Sequence, residues 1–102
     1  MEAIYTFLNA LQNRIFKLLP MREAYDKGED NCLNEYIDNL YLNIVGAFVT
    51  FGELSSHKAI VEVCNNIAFL KDNIDIPLKK WRSIVLHSVN LLSNLIANRQ
   101  EV

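Results

Sequence analysis

The side chains in this 102-residue chain best suited to chemistry are few: His57, His87, Cys32, Cys64 and the run Lys79-Lys80-Trp81-Arg82. The histidines and cysteines lack the paired spacing that zinc ligands use, so no metal is expected. No Glu-x-x-His pair of the kind that builds di-metal sites inside helical bundles is present. No glycine-rich loop could cradle a phosphate, so no cofactor is expected either. Glu53 and His57 are four residues apart, but they straddle a Gly52–Ser55 boundary that argues against one helical face. Ser83, Ser88 and Ser93 read as small polar residues on a helix. The basic run is the more suggestive feature. Cations in the first turn of a helix oppose its macrodipole, at roughly 0.3–1 kcal/mol each. Lys79, Lys80 and Arg82 placed there fit contact with an acidic protein surface or a phosphate, and Arg and Trp are favoured interface anchors. The plainer reading buries Trp81 and sends the three cations to water, offset by Asp72 and Asp75.

The same stretch reads Arg82-Ser83-Ile84-Val85-Leu86-His87. Arg, four residues, then His on a late helix resembles the signature of the HEPN ribonucleases, which are small helical bundles. The resemblance spans these six residues and carries over Arg82 and His87 alone; Ser83 stands where the family often has Asn. It implies RNA cleavage at a dimer interface where the Arg and His of two protomers meet. On one helix the two side chains point about 140° apart, so a partner surface would be needed for them to converge.

Four segments must position these residues, and each has helical periodicity. In the first, Ile4, Leu8, Leu11, Ile15 and Leu18 form a heptad seam, and Pro20 should stop the helix because the residue before proline avoids the helical region. Residues 20–30 read as the main loop, with Asp30 or Asn31 capping the next helix. Leu33, Ile37, Leu40, Ile44, Ala47 or Phe48, and Phe51 continue the spacing, and Gly52 suits the C′ position. The β-branched and aromatic run from Ile44 to Phe51 would suit a strand, but the length of the seam decides for helix. Ser55 or Ser56 caps a third segment with Ile60, Val63, Ile67 and Leu70 inward. Pro77 opens a fourth, with Leu78, Trp81, Val85, Val89 or Ser88, Leu92 and Ile96. The spacing predicts helices over 2–19, 31–51, 56–73 and 77–99, with no strand. Short connections make this one all-α domain over 1–102, an antiparallel up-down four-helix bundle.

Composition agrees. Hydrophobic residues make up 51% and charged residues 22%, which supports a packed core, while three Gly and two Pro are too few for a turn-rich β fold. The net charge of −2 does not indicate nucleic-acid binding outside the ribonuclease reading. The charge is segregated: residues 23–53 hold seven acids against Lys27. An acidic middle of this kind could dock a basic partner, or be no more than a solvated face. The cysteines read as small buried residues of a reducing compartment, and Met1-Glu2-Ala3-Ile4 lacks the positive region of a signal peptide. The longest apolar stretch, Leu40 to Phe51, is too short to span a membrane, so a cytoplasmic protein is expected.

Two helices carry more apolar surface than one seam needs. Leu42, Val45 and Val49 lie opposite Leu33 and Leu40, and Ile84, Leu91 and Leu95 make a second row beside the last seam. Either row can be buried by a tilted helix within the bundle, or can meet a partner, with a two-fold homodimer the commonest solution. The expectation is a small non-enzymatic interaction module that binds a macromolecule, most readily a protein, through a helix face. Regulators, inhibitors, immunity proteins and accessory factors of bacterial or phage origin are of this type. An apolar ligand held between the helices is a third reading, and it requires an internal cavity.

Overall fold

The computed structural model describes residues 2–29 and 32–98. The helices are α1 (Glu2–Phe16), α2 (Leu18–Asp26), α3 (Leu33–Thr50), α4 (Lys58–Asp72) and α5 (Leu78–Asn98), with a 3-10 turn at Gly52–Ser56 between α3 and α4. No strand occurs among the described residues, and Ile44 to Phe51 is helical up to Thr50. The expected all-α four-helix bundle is what forms, with α1 and α2 together making its first arm.

That arm corrects the expected stop at Pro20 and the loop over 20–30. The chain breaks at Lys17, whose φ of −64° and ψ of −16° stay near helical values, and resumes as α2 through Pro20. The break has a local cause. Pro20 has no N–H for the Phe16 carbonyl, and its ring crowds that carbonyl, so the ladder is interrupted one turn upstream. Proline then sits in the first turn of α2, where it is tolerated. The arm ends at Gly28, whose φ is +82°. The Glu29 N–H bonds the Ala24 carbonyl at 3.0 Å and the Gly28 N–H bonds the Tyr25 carbonyl at 3.0 Å, the paired bonds of a Schellman cap. The proposed caps Asp30 and Asn31, and the expected last helical residue Arg99, lie outside the described residues.

Two more boundaries differ. Gly52 follows the C-cap Phe51 but opens the 3-10 turn without a positive φ. Ser55 and Ser56 donate back to the carbonyls of Gly52 and Glu53 inside that turn, so His57, without a side-chain cap bond, is the N-cap of α4.

Neighbouring helices run in opposite directions. Gln12 donates to the Val89 carbonyl and Trp81 to the Leu18 carbonyl, so α1–α2 and α5 are antiparallel. Asn66 meets Ser88 while Lys80 lies over Phe69, which makes α4 and α5 antiparallel. Tyr36 donates to the Arg14 carbonyl while Phe7 packs on Phe51, so α3 opposes α1. Lys71 near the end of α4 reaches Asp38 near the start of α3. The seams meet in one core in which Ile15, Leu18, Leu40, Ile44, Val63, Ile67, Leu70, Trp81, Val85 and Leu92 are fully buried.

Candidate functional site

The first consequence for function is which residues the bundle leaves outside. On α3, Leu33, Ile37, Leu40, Ile44 and Ala47 face the core. The opposite side of that helix is wet: Leu42 is 62% exposed, Val45 37% and Val49 85%. These positions step by three and four residues and so form one row. Gly46, also exposed, lies within the row, and a Cβ built there would meet nothing within 4 Å. Glu35 and Asp38, both exposed, continue the same face toward the helix start. A groove beside the row is lined by Phe7, Leu42, Asn43, Thr50 and Phe51.

The companion row on α5 is placed differently. Ile84, Leu91 and Leu95 are half-buried and packed against the core. Leu95 closes a small apolar cleft of about 160 Å³ with Ile4, Tyr5, Leu8 and Leu54, and Glu53 and His57 both border it without sharing a helix. The exposed leucine of α5 is Leu86, at 41%.

Trp81 is in the core, as the plainer reading had it, and its indole N–H donates to the Leu18 carbonyl at 3.1 Å. Lys79, Lys80 and Arg82 are exposed. Lys80 stacks over the Phe69 ring at 5.6 Å, and Arg82 with Lys79 lines a shallow groove bounded by Leu78, Ser83 and Leu86. The acids expected to offset them are engaged elsewhere: Asp72 lies 3.5 Å from the Lys71 ammonium, and Asp75 accepts the Tyr25 hydroxyl at 3.2 Å. That bond, and the Asp75 charge, push the Tyr25 phenol above its ordinary pKa.

Arg82 and His87 are not brought together within the protomer. His87 turns to α4, where Nε2 lies 2.6 Å from Glu62 Oε2, and it does not line the Arg82 groove. Cys64 is buried in α4 and burial pushes its thiol pKa up. Cys32 departs from the expected buried helical position: it is exposed, at the N-cap of α3, with a left-handed φ of 56°.

One polar side chain of consequence has no counterpart in the sequence reading. Arg22 is 4% exposed. Its Nε bonds Asp26 Oδ1 at 2.8 Å, Nη2 bonds the Ile76 carbonyl, and the guanidinium lies 5.1 Å from the centroid of the Trp81 ring. Nη1 is buried without a partner. The signal was available: Arg22 is four residues after Leu18, so it continues the α1 seam past Pro20.

Among the described residues, no group of three or more His, Cys, Asp or Glu is placed to hold a metal, and no helix is long and apolar enough to cross a membrane. Compared with known proteins, the chain matches no family model, no curated protein and no solved structure.

Proposed function

We propose that this chain is a protein-binding module that works through the outer face of α3, in the manner of a regulator, inhibitor, immunity or accessory protein. One observation carries the reading: Leu42, Val45 and Val49 form a continuous exposed row on a helix whose opposite face is already committed to the core. Scattered surface leucines need no explanation, but a helical row of apolar side chains is a surface that gains by being covered. The acids at its start, Glu35 and Asp38, favour a partner that carries cations beside its own apolar side chains.

The test places a photo-crosslinking residue at Val49, with the exposed Asn65 of α4 as the control position. A discrete adduct with one protein in the source cells, formed from Val49 and not from Asn65, is the expected result. The adduct should vanish in a second variant, Leu42→Glu, whose thermal melt matches that of the parent. Labelling from Val49 that is as diffuse as labelling from Asn65 would overturn the reading.

A further inference from the structure

The exposed start of α5 complements the outer face of α3. On α3 the outward positions run Glu35, Asp38, Leu42, Val45, Val49; on α5 a row of the same spacing runs Lys79, Arg82, Leu86 and then turns toward α1 at Val89 and Ser93, where Gln12 meets the Val89 carbonyl and the Ser93 hydroxyl. Both series step by three, four, three and four residues, the spacing of a two-helix seam. Both begin within the first turns of their helices, at Leu33 and Leu78. All ten positions are exposed except Val89, which is half-buried.

We infer that the occupant of the α3 face is α5 of a second copy of this chain, packed parallel and in this register. The inference rests on reading the α3 face as a docking surface, and it names the partner. In a parallel seam, like heptad positions face each other, so the layers become Glu35 with Lys79, Asp38 with Arg82 and Leu42 with Leu86, and Val45 meets only the exposed edge of Val89, whose other side packs on its own core. The two charge layers are opposite in sign and the next two are apolar. The alternatives are worse matched. Parallel α3 on α3 stacks Glu35 on Glu35 and Asp38 on Asp38. Antiparallel α3 on α5 sets Val49 against the cations. The pairing also accounts for Lys79 and Arg82 standing at a helix start, where their own macrodipole opposes them, because carboxylates of the neighbouring copy would compensate.

The bundle geometry fixes what such a contact builds. α3 and α5 run in the same direction, since each is antiparallel to α1 and α4. Each is flanked by α4 and by the α1–α2 arm, so their outer faces look to opposite sides. An α3-to-α5 contact is therefore heterologous. It leaves one free α3 face and one free α5 face on every pair, and growth continues beyond two copies. A single short seam is a small interface, so association belongs at high protein concentration.

Sedimentation velocity on the full chain tests this. The parent should rise with concentration to more than twice the monomer mass, and added salt should lower that mass by screening the charge layers. Leu42→Glu closes the α3 face and Leu86→Glu closes the α5 face; both sites are exposed, and unchanged circular-dichroism melts confirm folding. Each variant alone should be a monomer, and an equimolar mixture should form a 1:1 heterodimer that grows no further. A parent that stays monomeric at its highest attainable concentration overturns the inference. So does a closed dimer that Leu42→Glu breaks and Leu86→Glu leaves intact, which is the two-fold α3 pairing. A monomeric parent that still gives the Val49 adduct with a different protein sinks this inference and keeps the docking surface; a monomer without the adduct sinks both.

Discussion

At the scale of single residues, the buried polar groups tie the helices to one another. Arg22 is the extreme case, because its guanidinium holds α2 to the Ile76 carbonyl before α5 and covers the Trp81 ring. A hydrogen bond from a charged donor contributes about 1.5–3 kcal/mol, and losing the donor leaves the carbonyl unpaired. Arg22→Ala should therefore destabilise the fold by about 2–4 kcal/mol in a urea melt. Arg22→Lys should recover little, since a point ammonium cannot bond along two edges and stack on an indole at once. Full recovery with Lys would show that charge alone matters at this site. Tyr36 acts similarly on a smaller scale. Its hydroxyl donates to the Arg14 carbonyl at 2.7 Å, and burial raises its pKa above 10.0. The folded state then holds this proton longer than the unfolded chain does. Its contribution is complete below the unfolded pKa and fades as pH rises through the folded one. Tyr36→Phe should cost about 0.5–1.5 kcal/mol at neutral pH and flatten part of the stability loss above roughly pH 10. An unchanged alkaline slope in the variant would place the loss on other groups.

At the scale of elements, the seams were legible, as was the start of α5 at Pro77, and the other punctuation was not. Ile4 to Leu18, Leu33 to Ala47 and Ile60 to Leu70 are buried as their spacing required, because a stripe repeating every three and four residues has one way to leave water. Pro20 misled because proline ends a helix only when the chain must stop; here the lost bond is absorbed by a break at Lys17 and the stripe runs on to Arg22. Ser55 and Ser56 misled because a serine hydroxyl can donate to the carbonyl three residues back, inside a 3-10 turn, instead of accepting from the N–H groups of the helix that follows. The glycines show the same dependence on local backbone. Gly28 holds φ at +82°, whereas Gly46 sits inside α3 with open space where a Cβ would be. Gly28→Ala should destabilise by about 1 kcal/mol through backbone strain, and Gly46→Ala should stabilise by about 0.5–1 kcal/mol through helix propensity. Chemical melts of the two variants check the pair, and equal signs would mean that one of these backbone assignments is wrong.

At the scale of the whole molecule, periodicity alone could not say which apolar row stays wet. Ile84, Leu91 and Leu95 looked as surplus as Leu42, Val45 and Val49, yet the first set is drawn against the core and the second is left outside. The difference lies in packing. Leu95 is met by Ile4, Tyr5 and Leu8 across the cleft, whereas the α3 row lies opposite the core-facing seam of its own helix. The opposed fates of two leucines two residues apart on α3 give this a thermodynamic signature. Leu40 is fully buried and Ile67 is fully buried on the facing seam of α4. Truncating either removes transfer energy and leaves a void that the neighbouring helices cannot fill, so Leu40→Ala and Ile67→Ala should each cost about 2–5 kcal/mol. Leu42→Ala takes a similar side chain from water to water and should stay within about 0.5 kcal/mol at concentrations where the chain is monomeric. Urea melts of the three variants at low protein concentration decide the matter. A large loss at Leu42 together with small losses at Leu40 and Ile67 would mean that α3 is rotated by half a turn from the orientation described, with its apolar row inside and its seam in solvent.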